Sequence, residues 1–195
     1  TLDERHRLLS TGYPLYLRKN ANGIDLNRNF DGWWEVQTKD PNVETYQGTS
    51  PASEPEVQAV MNLVRQSRPI AVFSFHSIAS LCNGCLLYSR LAEKNQDQKY
   101  IEHCMNVGKA YAYGMYGDQM DQFYSVEGFG SPGTLGSWVL KEFRVPCFDV
   151  ELDKNEEPRK YVYGDVVPLS MIREYQVRHQ KALENVMRCF IDESL

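Results

Sequence analysis

The sequence predicts an α/β domain with a mixed, mostly parallel sheet and helices on both of its faces. Three observations predict it. Two short apolar runs, IAVFSF at 70–75 and VPCFDVEL at 145–152, have strand length and little alternation, the pattern of strands covered from both sides. Helical periodicity precedes, separates and follows them, over roughly 53–67, 99–116 and 169–190. No internal repeat or low-complexity linker divides the chain, and 195 residues with 42% apolar content suit one domain, 1–195.

The first helix is expected to begin at Ser53. Ser-Glu-Pro-Glu offers an N-cap, a proline in the first turn and Glu56 to close a capping box, and Val57, Val60, Met61 and Val64 then fall on one face. Arg68-Pro69 ends it, and the first strand runs directly into His76. In the helix from Lys99 to Tyr116, Ile101, Cys104, Met105 and Ala112 are apolar positions, and Gly117-Asp118 marks its end. SPGTLGSW at 131–138 reads as a glycine-rich loop entering another apolar segment. The second strand carries Glu151 near its far end. The last helix, 169–190, places Ile172, His179, Leu183, Val186, Met187 and Phe190 near one stripe.

Twenty-one basic against 26 acidic residues give a net charge of -5, which argues against nucleic acid as the partner. No run is long and apolar enough to span a membrane. Five cysteines, an odd number without a dense framework, fit a reducing compartment and hence a cytoplasmic location. Cys82-Asn83-Gly84-Cys85 has half a zinc-site spacing with no second pair, so it reads as a tight turn flanked by structural thiols. His6, His103 and His179 read as surface or packed histidines. Nothing in the composition speaks to oligomeric state.

The residues with chemistry to offer sit where an α/β sheet places its working crevice, beyond the carboxyl ends of strands. His76 and Glu151 both end predicted strands. Neutral imidazole is a good zinc ligand, and a carboxylate can pass a proton from water to a leaving amine. Taken singly, such a histidine is more often hydrogen-bonded at a sheet rim, and such a glutamate solvated. The stretch GIDLNRNF at 23–30 changes that weight. Its Arg28 can grip a carboxylate through two parallel hydrogen bonds, Asn27 adds a neutral donor, and Arg18 could stabilise a developing oxyanion.

RKNANGIDLNRNF at 18–30, SEPEVQAV at 53–60, FSFHS at 73–77, GTLGSW at 133–138 and FDVEL at 148–152 stand in an order that resembles the zinc metallocarboxypeptidases, the carboxypeptidase A-like family. The resemblance implies that family's α/β fold, one Zn2+ ion held by two histidines and a glutamate, and hydrolysis of a peptide-like bond next to a free carboxylate. It makes His76 the last protein ligand of the metal and Glu151 the general acid/base. Asn27 and Arg28 would hold the terminal carboxylate, placing the last peptide bond over the metal, and Arg18 would steady the oxyanion.

Two features depart from the family's pattern. Its first two ligands lie in a His-x-x-Glu motif well upstream of the position of Arg18, and His6 is followed by Arg7, Leu8 and Leu9. The chain is therefore expected to lack an N-terminal portion carrying those ligands. Phe129 takes the place of a tyrosine that the family sets over the substrate, with Tyr124 nearby. The position lining the family's side-chain pocket is Gly136, which states no preference. SEPEVQA together with PGTLGSW looks like the bacterial branch that cleaves murein peptides at the γ-D-glutamyl to diaminopimelate bond. The alternatives are an ordinary carboxypeptidase acting on peptide C-termini and, from another class, a non-catalytic carboxylate-binding domain.

Overall fold

The two apolar runs of the sequence become neighbours in one sheet. In the computed structural model, which describes residues 18–76, 85–120, 125–151 and 169–192, β1 (Val72–His76) pairs in parallel with β4 (Cys147–Glu151). On the other side of β4 lies β2 (Cys85–Ser89), antiparallel to it, and β3 (Ser125–Phe129) runs parallel to β2. The order is β1-β4-β2-β3, so the sheet is mixed and two of its three pairings are parallel.

The helices are α1 (Pro55–Ser67), the short α2 (Leu91–Lys94), α3 (Gln98–Tyr116), α4 (Leu135–Glu142) and α5 (Leu169–Ile191). They cover both faces because alternate strand residues point to opposite sides. Phe148 and Val150 of β4 join a core with Val107 and Tyr111 of α3 and Ala182 and Val186 of α5. Cys147, one step out of phase, joins Val57, Met61 and Val64 of α1 with Trp138 and Val139 of α4. Phe73 belongs to the first core and Val72 to the second. By the same alternation Ser74 and His76 of β1 share a face with Asp149 and Glu151 of β4.

Several local expectations are corrected. The strand predicted at 70–75 is shifted to Val72–His76, an outer strand among the described residues, and Phe75 stays 49% exposed, so the face it occupies is only partly covered. The N-cap of α1 is Glu54, not Ser53, and Glu54 caps no backbone amide with its side chain. The Ser53 hydroxyl donates to Glu54 instead, and Glu54 N–H is taken by Asn29 Oδ1, so the turn is held by tertiary partners rather than a capping box. Val60 is exposed while Val57, Met61 and Val64 are buried. On α5 the buried stripe runs through His179, Ala182 and Val186, leaving Ile172 and Met187 outside. The stretch read as a loop over 131–138 is already helical from Leu135, with Thr134 as N-cap accepting from Ser137 N–H. The turn read at 82–84 lies outside the described residues, and Cys85 is disulfide-bonded rather than a thiol.

α1 is fastened to α4 by charge and ring contacts. Arg65 donates twice to Glu142, at 2.7 and 2.8 Å, and its guanidinium lies over the Trp138 ring, whose N–H also donates to Glu142. No helix among the described residues is long and apolar enough to cross a membrane.

Candidate active site

The loop before α1 is built from the inside by Asn29. Its buried amide donates to the carbonyls of Gln47 and Ser50, and its oxygen accepts from Glu54 N–H, so one side chain gathers three turns. Gln47, also fully buried, clips the same loop through Thr38. The loop then leans on the approach to α4: Phe30 N–H donates to the Gly133 carbonyl, and Gly133 N–H to that of Gly32. Gly133 has φ +81, and a Cβ there would sit 2.3 Å from the Arg28 carbonyl oxygen. Only glycine allows the two loops to touch there.

This contact places Asn27 and Arg28 over the sheet. Leu26–Arg28 is a single 3-10 turn whose N-cap, Asp25, accepts from Asn27 N–H. The side chain of Asn27 bridges two elements. Its oxygen accepts from Leu135 N–H at the start of α4, at 2.9 Å, and its amide donates to Asp149 Oδ2 of β4 at 3.3 Å. Arg28 is half-buried, and the hydrogen bond its guanidinium makes among the described residues is to the Asn27 carbonyl at 2.6 Å. Burial pushes its pKa down, against Asp25 and Asp149 and with Arg18 adding to the fall. No carboxylate is in contact with this half-buried guanidinium among the described residues.

Arg18 has a partner. Its Nε donates to Asp25 Oδ2 at 2.7 Å, and Asp25 is buried. That leaves the other nitrogens of a half-exposed guanidinium beside the site, and its charge is felt by both Arg28 and His76.

His76 and Glu151 are Cα partners at the carboxyl ends of β1 and β4. His76 Nε2 stands 3.2 Å from Asp149 Oδ1 and 3.3 Å from Ser74 Oγ. The carboxylate of Asp149 raises the His76 pKa above its ordinary value. Burial opposes this, and the charges of Asp149 and Glu151 reinforce it. The five residues expected from the sequence, Arg18, Asn27, Arg28, His76 and Glu151, thus come to one end of the sheet. Three more belong with them: Asp25, Ser74 and Asp149. The signal for Ser74 and Asp149 was the strand period, since each lies two positions before a named site residue and so on the same face.

Phe129 ends β3, 45% exposed, with Arg90 over its ring; Tyr124 and His6 lie outside the described residues. His103 packs on Phe190, and His179 is buried against Phe75, Tyr111 and Tyr175, so both are packed histidines as expected. Among the described residues no three His, Cys, Asp or Glu side chains stand together to hold a metal ion. His76 fits as one zinc ligand, but the described residues do not complete a set.

A zinc carboxypeptidase family model matches residues 4–182. This chain belongs to the zinc carboxypeptidase family. Murein peptide amidase A of Escherichia coli (strain K12) is similar to it, 29% identical over an alignment of 166 residues, with 78% of this chain and 60% of that protein covered. Human carboxypeptidase A5 is 32% identical over an alignment of 180 residues, with 85% of this chain and 37% of that protein covered. The chain therefore spans about 60% or less of these two relatives. Bovine thrombin-activatable fibrinolysis inhibitor, solved with a tick carboxypeptidase inhibitor, has the same fold at a TM-score of 0.65, with 24% identity, 87% of this chain and 57% of that one covered.

Proposed function

We propose that this family member acts in zinc-dependent hydrolysis of a peptide or amide bond adjacent to a free carboxylate, with a γ-D-glutamyl-diaminopimelate bond of bacterial murein peptides as the preferred substrate. The observation that supports this most is the in-register pairing of His76 with Glu151 beneath a half-buried Arg28 that has no carboxylate partner among the described residues.

Each residue has a separate task in this reading. Arg28 takes the terminal carboxylate through its planar fork, and the second amide N–H of Asn27 is available beside it. Arg18, steadied on Asp25, faces the carbonyl oxygen that gains charge. Glu151 removes a proton from the attacking water and delivers it to the leaving nitrogen, so acid and base are one carboxylate. His76 is one ligand of the zinc, which when bound supplies Lewis acidity and lowers the pKa of water. Completing the family's ligand set requires a His-x-x-Glu pair from outside the described residues.

The murein preference rests on the similarity to an amidase of that name, and the runner-up, an ordinary carboxypeptidase, rests on the similarity to carboxypeptidase A5. A cytoplasmic location rests on the odd count of five cysteines and the buried thiols of Cys104 and Cys147, and the disulfide at Cys85 weighs against it.

The deciding experiment measures zinc stoichiometry and, on the same sample, hydrolysis of a γ-D-glutamyl-diaminopimelate peptide against α-linked peptides of similar length. One zinc per chain with faster release of diaminopimelate is the expected result. Faster cleavage of the α-linked peptides would move the assignment to the runner-up. Binding of free-acid peptides with neither zinc nor turnover would leave a carboxylate-binding domain.

A further inference from the structure

We propose that Asp149 is the positioning residue for His76, holding the imidazole through Nε2 so that Nδ1 is the nitrogen presented to a metal; this rests on the zinc-peptidase reading of the site. Asp149 lies two residues before Glu151 on the same strand and on the same face as His76, its own Cα partner being Ser74, two positions before His76. Its Oδ1 is buried without an aligned hydrogen bond, and His76 Nε2 is 3.2 Å away. A buried carboxylate oxygen left without a donor is costly, so a small rotation of the ring that directs Nε2–H at it is favourable. The other oxygen, Oδ2, is already held by the Asn27 amide at 3.3 Å. Asn27 cannot turn away, because its oxygen is fixed by Leu135 N–H.

The result is a chain of contacts from the start of α4 through Asn27 and Asp149 to His76. It orders the donors and acceptors completely. Asn27 must offer its NH2 to Asp149, Asp149 can only accept, and His76 must then carry its proton on Nε2. A neutral imidazole protonated on Nε2 has its lone pair on Nδ1, which makes no hydrogen bond among the described residues. Ser74 Oγ, at 3.3 Å from Nε2, is a hydroxyl that can serve as donor or acceptor and so enforces neither tautomer. The same chain ties the loop that bears Arg28 to the ligand.

Asp149→Asn tests this sharply. Its single oxygen would accept from Asn27, turning its NH2 toward His76 Nε2 and favouring the opposite tautomer with the proton on Nδ1. The first measurement is the His76 tautomer by long-range 1H–15N correlation in the zinc-free, full-length protein at a pH where the ring is neutral. The wild type should be protonated on Nε2 and Asp149→Asn on Nδ1. The second is zinc affinity by competition with a chromophoric chelator, expected to fall about 10–100-fold in Asp149→Asn and Asp149→Ala.

An Nδ1-protonated His76 in the wild type overturns the proposal without any variant, so a misfolded variant cannot protect it. Zinc held equally by wild type and Asp149→Asn overturns it too, yet leaves the zinc-peptidase reading standing. A wild type that binds no zinc overturns both.

Discussion

His76 and Glu151 are Cα partners on adjacent parallel strands, so their side chains leave the same face at the same height of the sheet. A histidine and a glutamate far apart in sequence thereby become a pair, with Asp149 and Ser74 one pleat below them. In the proposed mechanism this register sets the proton-moving carboxylate next to a metal ligand without making it one.

Glu151→Gln keeps the shape of the side chain and removes its basicity. The expected outcome is unchanged zinc content, measured by atomic absorption, with turnover lowered about 10²–10⁴-fold. Zinc lost along with activity would make Glu151 a structural support of the metal site. Unchanged turnover would take it out of the mechanism.

Arg28→Ala should act on the substrate's end rather than on the reaction. A charge-assisted pair with a carboxylate contributes about 1.5–3 kcal/mol, so kcat/KM on free-acid peptides should fall roughly 10–100-fold. Peptides with an amidated terminus should be affected little. Arg28→Lys should recover only part of the loss, because an ammonium has no fork. Equal losses on free-acid and amidated substrates would remove the carboxylate assignment.

What the sequence revealed of this arrangement follows physical range. The order of helices and strands was legible because apolar periodicity is local, and His76 and Glu151 were legible because both end apolar runs. Arg18, Asn27 and Arg28 were legible as chemistry but not as geometry: that Asn27 ties Asp149 to α4, and Arg18 salt-bridges Asp25, depends on contacts between loops. The capping box failed for the same reason, since Asn29, remote in sequence, holds the Glu54 amide and the Ser53 hydroxyl turns to the Glu54 carboxylate. That β1 is an outer strand among the described residues could not be read, because an apolar run does not say how many neighbours it has. Asp149 was passed over inside an acidic stretch, although the period of the strand put it on the face of Glu151.

Two glycines on either side of Thr134 should respond oppositely to the same change. In Gly133→Ala the new Cβ meets the Arg28 carbonyl oxygen at 2.3 Å in a residue with φ +81, so both the loop contact and the backbone are strained. Strain of about 1–3 kcal/mol should lower the melting temperature, and displacement of Arg28 should weaken free-acid substrates further. Gly136→Ala meets nothing closer than 3.9 Å and lies inside α4, where alanine is favoured by about 0.5–1 kcal/mol. Its melting temperature should hold or rise. Thermal denaturation of the two variants side by side is the check, and a Gly133→Ala protein as stable as the wild type would show that the two loops do not bear on one another.

His179 makes folding pH-dependent at a place remote from the chemistry. Burial lowers its pKa to about 4, with the nearby Arg178 charge contributing. The ring is enclosed by Phe75, Tyr111 and Tyr175, and its Nδ1 engages the Tyr111 hydroxyl. In the unfolded chain the same histidine titrates near 6.5. Between these values the unfolded state binds the extra proton, so stability rises with pH there. The contribution is fully present above about pH 6.5 and is lost as the pH falls toward 4, amounting to up to about 3 kcal/mol. Urea unfolding of the zinc-free protein at pH 7, 6, 5 and 4 should therefore show a falling midpoint. His179→Gln, which cannot titrate, should flatten that part of the profile even if it lowers the midpoint at pH 7. A variant whose midpoint keeps the wild-type slope between pH 6.5 and 4 would assign the dependence to other groups.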